Sequence, residues 1–157
     1  MARSALCTFL FLLCCHTSDA KPANPKSAAP ARVTLLNAAG DSTEVEVELA
    51  VTPHAREIGL MNRAGLTPNR GMIFVFPRAS PQQFWMKNTL IALDMIFIRA
   101  DLTIAGIVAE AEPLTLTGRG VNEPSLYVLE VVGGYAAAHH LATGDRVKLE
   151  NVPAVTE

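Results

Sequence analysis

From Val33 to Leu149 the chain is written in short runs where apolar residues alternate with polar ones or stand together, separated by Gly, Pro and Asn or Asp. Runs of this length read as strands. Val33–Leu36 and Thr43–Val51 flank Ala38-Ala39-Gly40-Asp41 and predict a hairpin. In its second arm Glu44, Glu46 and Glu48 alternate with Val45, Val47 and Leu49, giving one acidic, wet face and one buried face. Thr52-Pro53 is a helix start, a hydroxyl N-cap followed by Pro in the first turn, and the helix is expected to reach about Arg63. Strand signals follow at Met72–Phe76, Gln83–Met86, Leu90–Ile98, Leu102–Ala111 and Leu126–Val132. Gly133–Ala142 predicts a short Ala-rich helix stopped by Gly144, and Arg146–Leu149 a last strand. Six or more strands without regular β-α-β alternation predict a mainly β (α+β) domain, an antiparallel β-sandwich or partly open barrel with one or two short helices.

Composition narrows the class. A chain of 157 residues, 50% hydrophobic and 18% charged, supports one core and is too apolar for disorder. Thirteen basic residues face 15 acidic ones with no basic block, which argues against a general nucleic-acid surface. The longest apolar run, Ala5–Cys15, is eleven residues with Thr8 inside it, too short to span a membrane. Arg3 precedes this run and Ser18-Asp19-Ala20 follows it, the three regions of a secretory signal peptide. Cleavage after Ala20 is expected, with a periplasmic or extracellular destination. Lipidation at Cys14 or Cys15 is the alternative, disfavoured by the bulky Phe11, Leu12 and Leu13 before them. Residues 21–31, with Pro22, Pro25 and Pro30, read as a tether, residues 32–151 as the single globular domain, and residues 152–157 as a tail. Cys7, Cys14 and Cys15 all lie in the signal, so the exported domain is expected to hold no disulfide, thiolate nucleophile or cysteine metal ligand.

Candidate chemistry concentrates between Gly71 and Phe97, which contain five of the seven aromatic residues beyond the signal: Phe74, Phe76, Phe84, Trp85 and Phe97. On a strand, Trp85 and Lys87 share a face. An indole beside an ammonium suits a pocket wall that stacks a ligand and fixes an anionic group. The plainer alternative is a lysine lying along apolar surface beside a packed Trp. Asp94 and Glu130 each interrupt an apolar strand and are predicted to be partly buried, where a carboxylate needs a partner or a raised pKa. Arg56, Arg63 and Lys87 are the cations at hand, and Gly59 would allow close approach to the helix. The resulting candidate site is Arg63, Trp85, Lys87, Asn88, Asp94 and Glu130.

The strings Leu60-Met61-x-Arg63, Gly71-Met72-Ile73-Phe74-x-Phe76, Phe84-Trp85-Met86-Lys87-Asn88-Thr89, Leu93-Asp94-Met95-Ile96-Phe97 and Val128-Leu129-Glu130 occur in this order. Over roughly Val45 to Val147 the chain thereby resembles the domain of unknown function 192 family of bacteria and archaea. Ala92 departs from it, standing where the family commonly has proline. The resemblance implies a compact, mainly β, sandwich-like fold. It implies shared polar residues at Arg63, Lys87, Asn88, Asp94 and Glu130, includes exported members, and carries no established activity.

Four functional classes follow, the last of them soft-metal handling by methionine thioethers. The first is a module binding a small polar or anionic ligand through Arg63, Lys87, Trp85 and Asn88. The second is a hydrolase or lyase using Asp94 or Glu130 as general acid or base; no nucleophile elbow, phosphate loop or zinc-peptidase motif accompanies them. The third is a structural or protein-interaction domain whose charges specify packing. No cofactor is expected. His139-His140 lack the i, i+4 spacing of paired ligands, and Met61, Met72, Met86 and Met95 suit core packing better than soft-metal binding.

Overall fold

The computed structural model describes Met1 and residues 29–154. The expected signal peptide and most of the tether, residues 2–28, lie outside the described residues, as do 155–157. The predicted hairpin is formed by β1 (Ala31–Leu36) and β2 (Ser42–Ala50), with Leu36 opposite Ser42. Asn37 closes it, its Oδ1 accepting the amides of Ala39 and Asp41, both at 3.0 Å. Helix α1 (Pro53–Ile58) starts as expected, the Thr52 hydroxyl accepting the Ala55 amide at 3.1 Å. It stops five residues short of Arg63 because Gly59 adopts φ 49°, a left-handed conformation that a helix cannot continue through.

The remaining elements are β3 (Arg70–Ser80), β4 (Gln83–Phe84), β5 (Leu93–Ile98), β6 (Ile104–Ala111), β7 (Arg119–Gly120), β8 (Ser125–Val132), α2 (Tyr135–Ala138) and β9 (Arg146–Glu150). Seven strands form one sheet in the order β6-β5-β8-β3-β2-β1-β9, and β4 pairs with β7 separately. Every pair is antiparallel except β2–β3, which is parallel because α1 and its following loop carry the chain back across. The sheet curls until its edges touch. The Ile104 amide donates to Asp145 O at 2.9 Å, the Val147 amide to Leu102 O at 2.8 Å, and Thr103 bridges Arg146. The described residues form a mainly β, partly open barrel with two short helices.

Alternation along the strands divides the core in two. Val33, Leu35, Val45, Ile73, Ile96, Ile104, Leu129 and Val147 form a cluster drawn from all seven strands, the inside of the curl. Met72, Phe74, Met95, Phe97 and Val128 point to the other face, where they pack with Leu60 after α1 and with Met86. Phe84 fastens β4 onto this outer layer, edge-on to Phe74, Phe76 and Phe97 at centroid distances of 5.0, 6.3 and 6.0 Å. Further along the same face the acidic stripe stays wet, with Glu44 paired to Arg32, Glu46 to Arg70 and Glu48 to Arg63.

Asp94 is fully buried on the inner side, opposite Val131. Its Oδ1 accepts the amides of Glu110 (2.7 Å) and Gly134 (3.0 Å), and its Oδ2 that of Ala136 (2.7 Å). One carboxylate thus ties the end of β6 and the start of α2 to β5 through charge-assisted bonds. Asp94→Ala would strand three amides. We expect it to lower the unfolding free energy in urea by about 3–5 kcal/mol. A loss under about 1 kcal/mol would show that these amides have other partners.

Candidate functional site

The outer face is not sealed by its cover. Between α1, β3, β4 and the 116–118 loop lies a cavity of about 480 Å³, lined by Arg56, Glu57, Ile58 and Gly59, by Phe74, Phe76, Phe84 and Trp85, by Leu116 and Gly118, and by Glu130 among others. This size holds a small organic molecule. Four aromatic side chains give it apolar walls. At its mouth Ile58, Trp85 and Leu116 are 46%, 49% and 68% exposed.

Glu130 reaches this cavity because β8 alternates. Leu129 and Val131 face the inner core, so Glu130 faces the outer layer, paired laterally with Met72 on β3 and Met95 on β5. Its side chain is 4% exposed. No basic group lies within 4.0 Å of it, and no side-chain hydrogen bond reaches it, among the described residues. Burial alone pushes its carboxyl up to about 8, so the group is largely protonated at neutral pH. Gly59 stands beside it. A Cβ there would lie 3.2 Å from Phe74 Cζ and 4.0 Å from Glu130 Oε2, so the glycine keeps the approach to the carboxyl clear.

The six residues singled out from the sequence do not surround one cleft. Glu130 and Trp85 line the cavity. Arg63 lies on the wet stripe, its Nη2 donating to Glu48 Oε2 at 2.7 Å; this bond holds Glu48 below the usual carboxylate range and raises Arg63. Asp94 is on the opposite face of the sheet. Lys87 and Asn88 sit in the turn Met86–Thr89, closed by the Thr89 amide on Met86 O at 3.1 Å. The strand expected over Gln83–Met86 ends at Phe84, since Asn88 takes φ 55° and the chain turns instead. Lys87 and Trp85 still meet, Nζ standing 5.4 Å from the indole centroid. The Asn88 carbonyl accepts the Asn62 amide at 2.7 Å, which pins the post-helix loop beside this turn.

Among the described residues, the cation that lines the cavity is Arg56. Its Nη1 donates to Val51 O (2.6 Å) and Val75 O (2.9 Å), and its guanidinium lies 5.3 Å from the Phe76 centroid. Arg56 and Gly59 were visible in the sequence as one helical line. Leu116 and Gly118 were not, because their place at the mouth depends on β7 pairing with β4 over a long sequence separation. No group of three or more His, Cys, Asp or Glu fit to hold a metal occurs among the described residues. His139 packs on Tyr135 at 4.3 Å between ring centroids, and His140 is exposed. No described helix is long and apolar enough to cross a membrane.

With this geometry in hand, comparison places the chain. The model of the domain of unknown function 192 (DUF192) family, described as "Uncharacterized ACR", matches residues 34–149. The chain belongs to this family. No functionally curated protein matches it. The crystal structure of a "putative transcription regulator" from Sinorhizobium meliloti 1021 is similar, with TM-score 0.74 and 41% identity over 77% of this chain and 94% of that one. A protein of unknown function from Novosphingobium aromaticivorans DSM 12444 is similar at TM-score 0.72 and 37% identity, over 83% of this chain and 94% of that one. DUF192 membership therefore accounts for the whole barrel and attaches no activity to it.

The buried carboxyl fixes a pH dependence. An unfolded glutamate gives up its proton near 4.5, whereas folded Glu130 keeps it to about 8. Between these values the folded state binds more protons, so stability is full at acid pH and falls as pH rises through the window. Glu130→Gln removes this loss. From pH 4 to pH 9 the variant should gain on the order of 4–5 kcal/mol relative to the unsubstituted protein in urea titrations. Parallel pH profiles would contradict the burial account.

Proposed function

We propose that this domain is a binding module for a small, largely apolar ligand that presents one polar group to Glu130. The observation that carries this reading is the pairing of an open aromatic cavity with a carboxyl, 4% exposed and opening onto it, that has no hydrogen-bond or ion-pair partner among the described residues. A lone buried carboxyl costs stability, and such groups concentrate at functional sites. The aromatic walls supply apolar contact, the carboxyl supplies orientation, and Gly59 leaves room between them. The sequence suggests a small polar or anionic ligand; the cavity lining favours a largely apolar one with a single polar group. Arg63, Lys87, Asn88 and Asp94 lie beyond the cavity lining.

A second reading has Glu130 as the general acid or base of a hydrolase or lyase. It is favoured by a carboxyl whose proton is held to about 8, close to the range where such catalysts work. In that case Glu130 acts without Asp94, which faces the other side of the sheet. The regulator description attached to the Sinorhizobium protein would ask for a basic nucleic-acid surface. Here Arg32, Arg63 and Arg70 are each paired with a glutamate on one sheet face.

Binding is testable without knowing the natural ligand. Phenol, indole, benzylammonium and benzoate at millimolar concentration should include at least one probe that moves the amide signals of Gly59, Phe84, Trp85 and Glu130 in ¹H–¹⁵N spectra. Trp85 is half exposed, so Trp85→Ala should change the unfolding free energy by less than about 1 kcal/mol. The same change should weaken that probe by about tenfold, as loss of an aromatic wall does. Probes that leave all four signals in place would overturn the reading.

A further inference from the structure

The cavity's charge identifies what it selects. Among the described residues its lining holds three charged ones, Arg56, Glu57 and Glu130. Arg56 and Glu57 both come from α1 and are of opposite sign. Arg56 is moreover held to the wall by Val51 O, Val75 O and the Phe76 ring. Around Glu130 itself, β3 presents Met72 and Phe74 and β5 presents Met95, none of which carries charge. Lys87, the nearest basic residue in the Trp85 turn, lies over the indole and is not part of the lining. Among the described residues, an ionised Glu130 therefore leaves the cavity with one uncompensated negative charge, in a lining that also holds Phe74, Phe76, Phe84 and Trp85.

Resting on the binding reading above, we propose that the cavity receives a small ammonium ligand with an apolar or aromatic body, its cationic head on the Glu130 carboxylate and its body against the aromatic walls. Two physical effects act together. The carboxylate gains the opposite charge it lacks, and a desolvated cation is attracted to aromatic faces. A carboxylate ligand meets the reverse situation, since it would either oppose an ionised Glu130 or force it to stay protonated. The raised carboxyl pKa adds a signature: binding an ammonium ionises Glu130 and releases its proton, so affinity rises with pH.

The experiment compares three probes that share a phenyl ring and differ in the polar head: benzylammonium, benzyl alcohol and benzoate, titrated by ¹H–¹⁵N spectra on the domain. Benzylammonium should bind at least tenfold more tightly than benzyl alcohol at pH 8, with benzoate weakest. Its affinity should rise about tenfold per pH unit from pH 6 toward 8, while benzyl alcohol stays level. In Glu130→Gln the ammonium preference should vanish with benzyl alcohol binding retained; should that variant not fold, the pH series on the unsubstituted protein decides alone. Equal binding of the alcohol or the benzoate, a preference that persists in Glu130→Gln, or a flat pH series would overturn the ammonium inference and leave the binding reading standing. Failure of all three probes to bind would overturn the ammonium inference, and failure of phenol and indole as well would overturn both.

Discussion

Two carboxylates are carried into the interior of this protein on adjacent strands, and the period-two alternation of those strands sends them to opposite faces of the sheet. Their fates differ because of what waits on each side. On the inner side Asp94 meets three backbone amides at the end of β6 and the start of α2, and becomes part of the barrel's closure. On the outer side Glu130 stands between two methionines and lines the cavity. The first arrangement satisfies a buried charge, and the second holds its carboxyl neutral by burial, without a partner among the described residues.

The outer layer is what makes that cavity. β4 is two residues long, yet Phe84 locks it against three other aromatic rings. Beyond it the chain turns at Met86–Thr89, with Met86 driven into the core and Trp85 left at the mouth. α1 covers the other side but ends at Gly59, and the early stop places a residue without a side chain next to the carboxyl. A helix running on to Arg63 would have covered this ground with side chains. The cavity is thus a consequence of two chain reversals, at Gly59 and at Asn88, both at positive φ.

Much of this was legible in the residues. Alternation located the large-sheet strands to within a few residues, and Thr52-Pro53 marked the start of α1, because both signals are local. Burial of Asp94 and Glu130 was also legible, from charges interrupting apolar runs. Their partners were not. Which face a strand residue takes relative to the core depends on register across the sheet, and Asp94 found amides 16, 40 and 42 residues away. Arg63 was expected near these carboxylates and instead pairs with Glu48, which parallel pairing of β2 and β3 brings alongside the post-helix loop. The FWMKNT string stood out correctly as the informative segment, but its Lys and Asn shape a turn while its Trp and Phe make the wall.

The account rests on Glu130 being alone, and its proton reports this most directly. Following the side-chain carboxyl carbon of Glu130 by ¹³C NMR from pH 3 to pH 10 would read it without perturbing the protein. The account predicts a single titration near 8. Titration in the ordinary glutamate range, about 4.3, would mean that water or a cation already compensates the group, and the claim of an unsatisfied carboxyl at the cavity floor would fall.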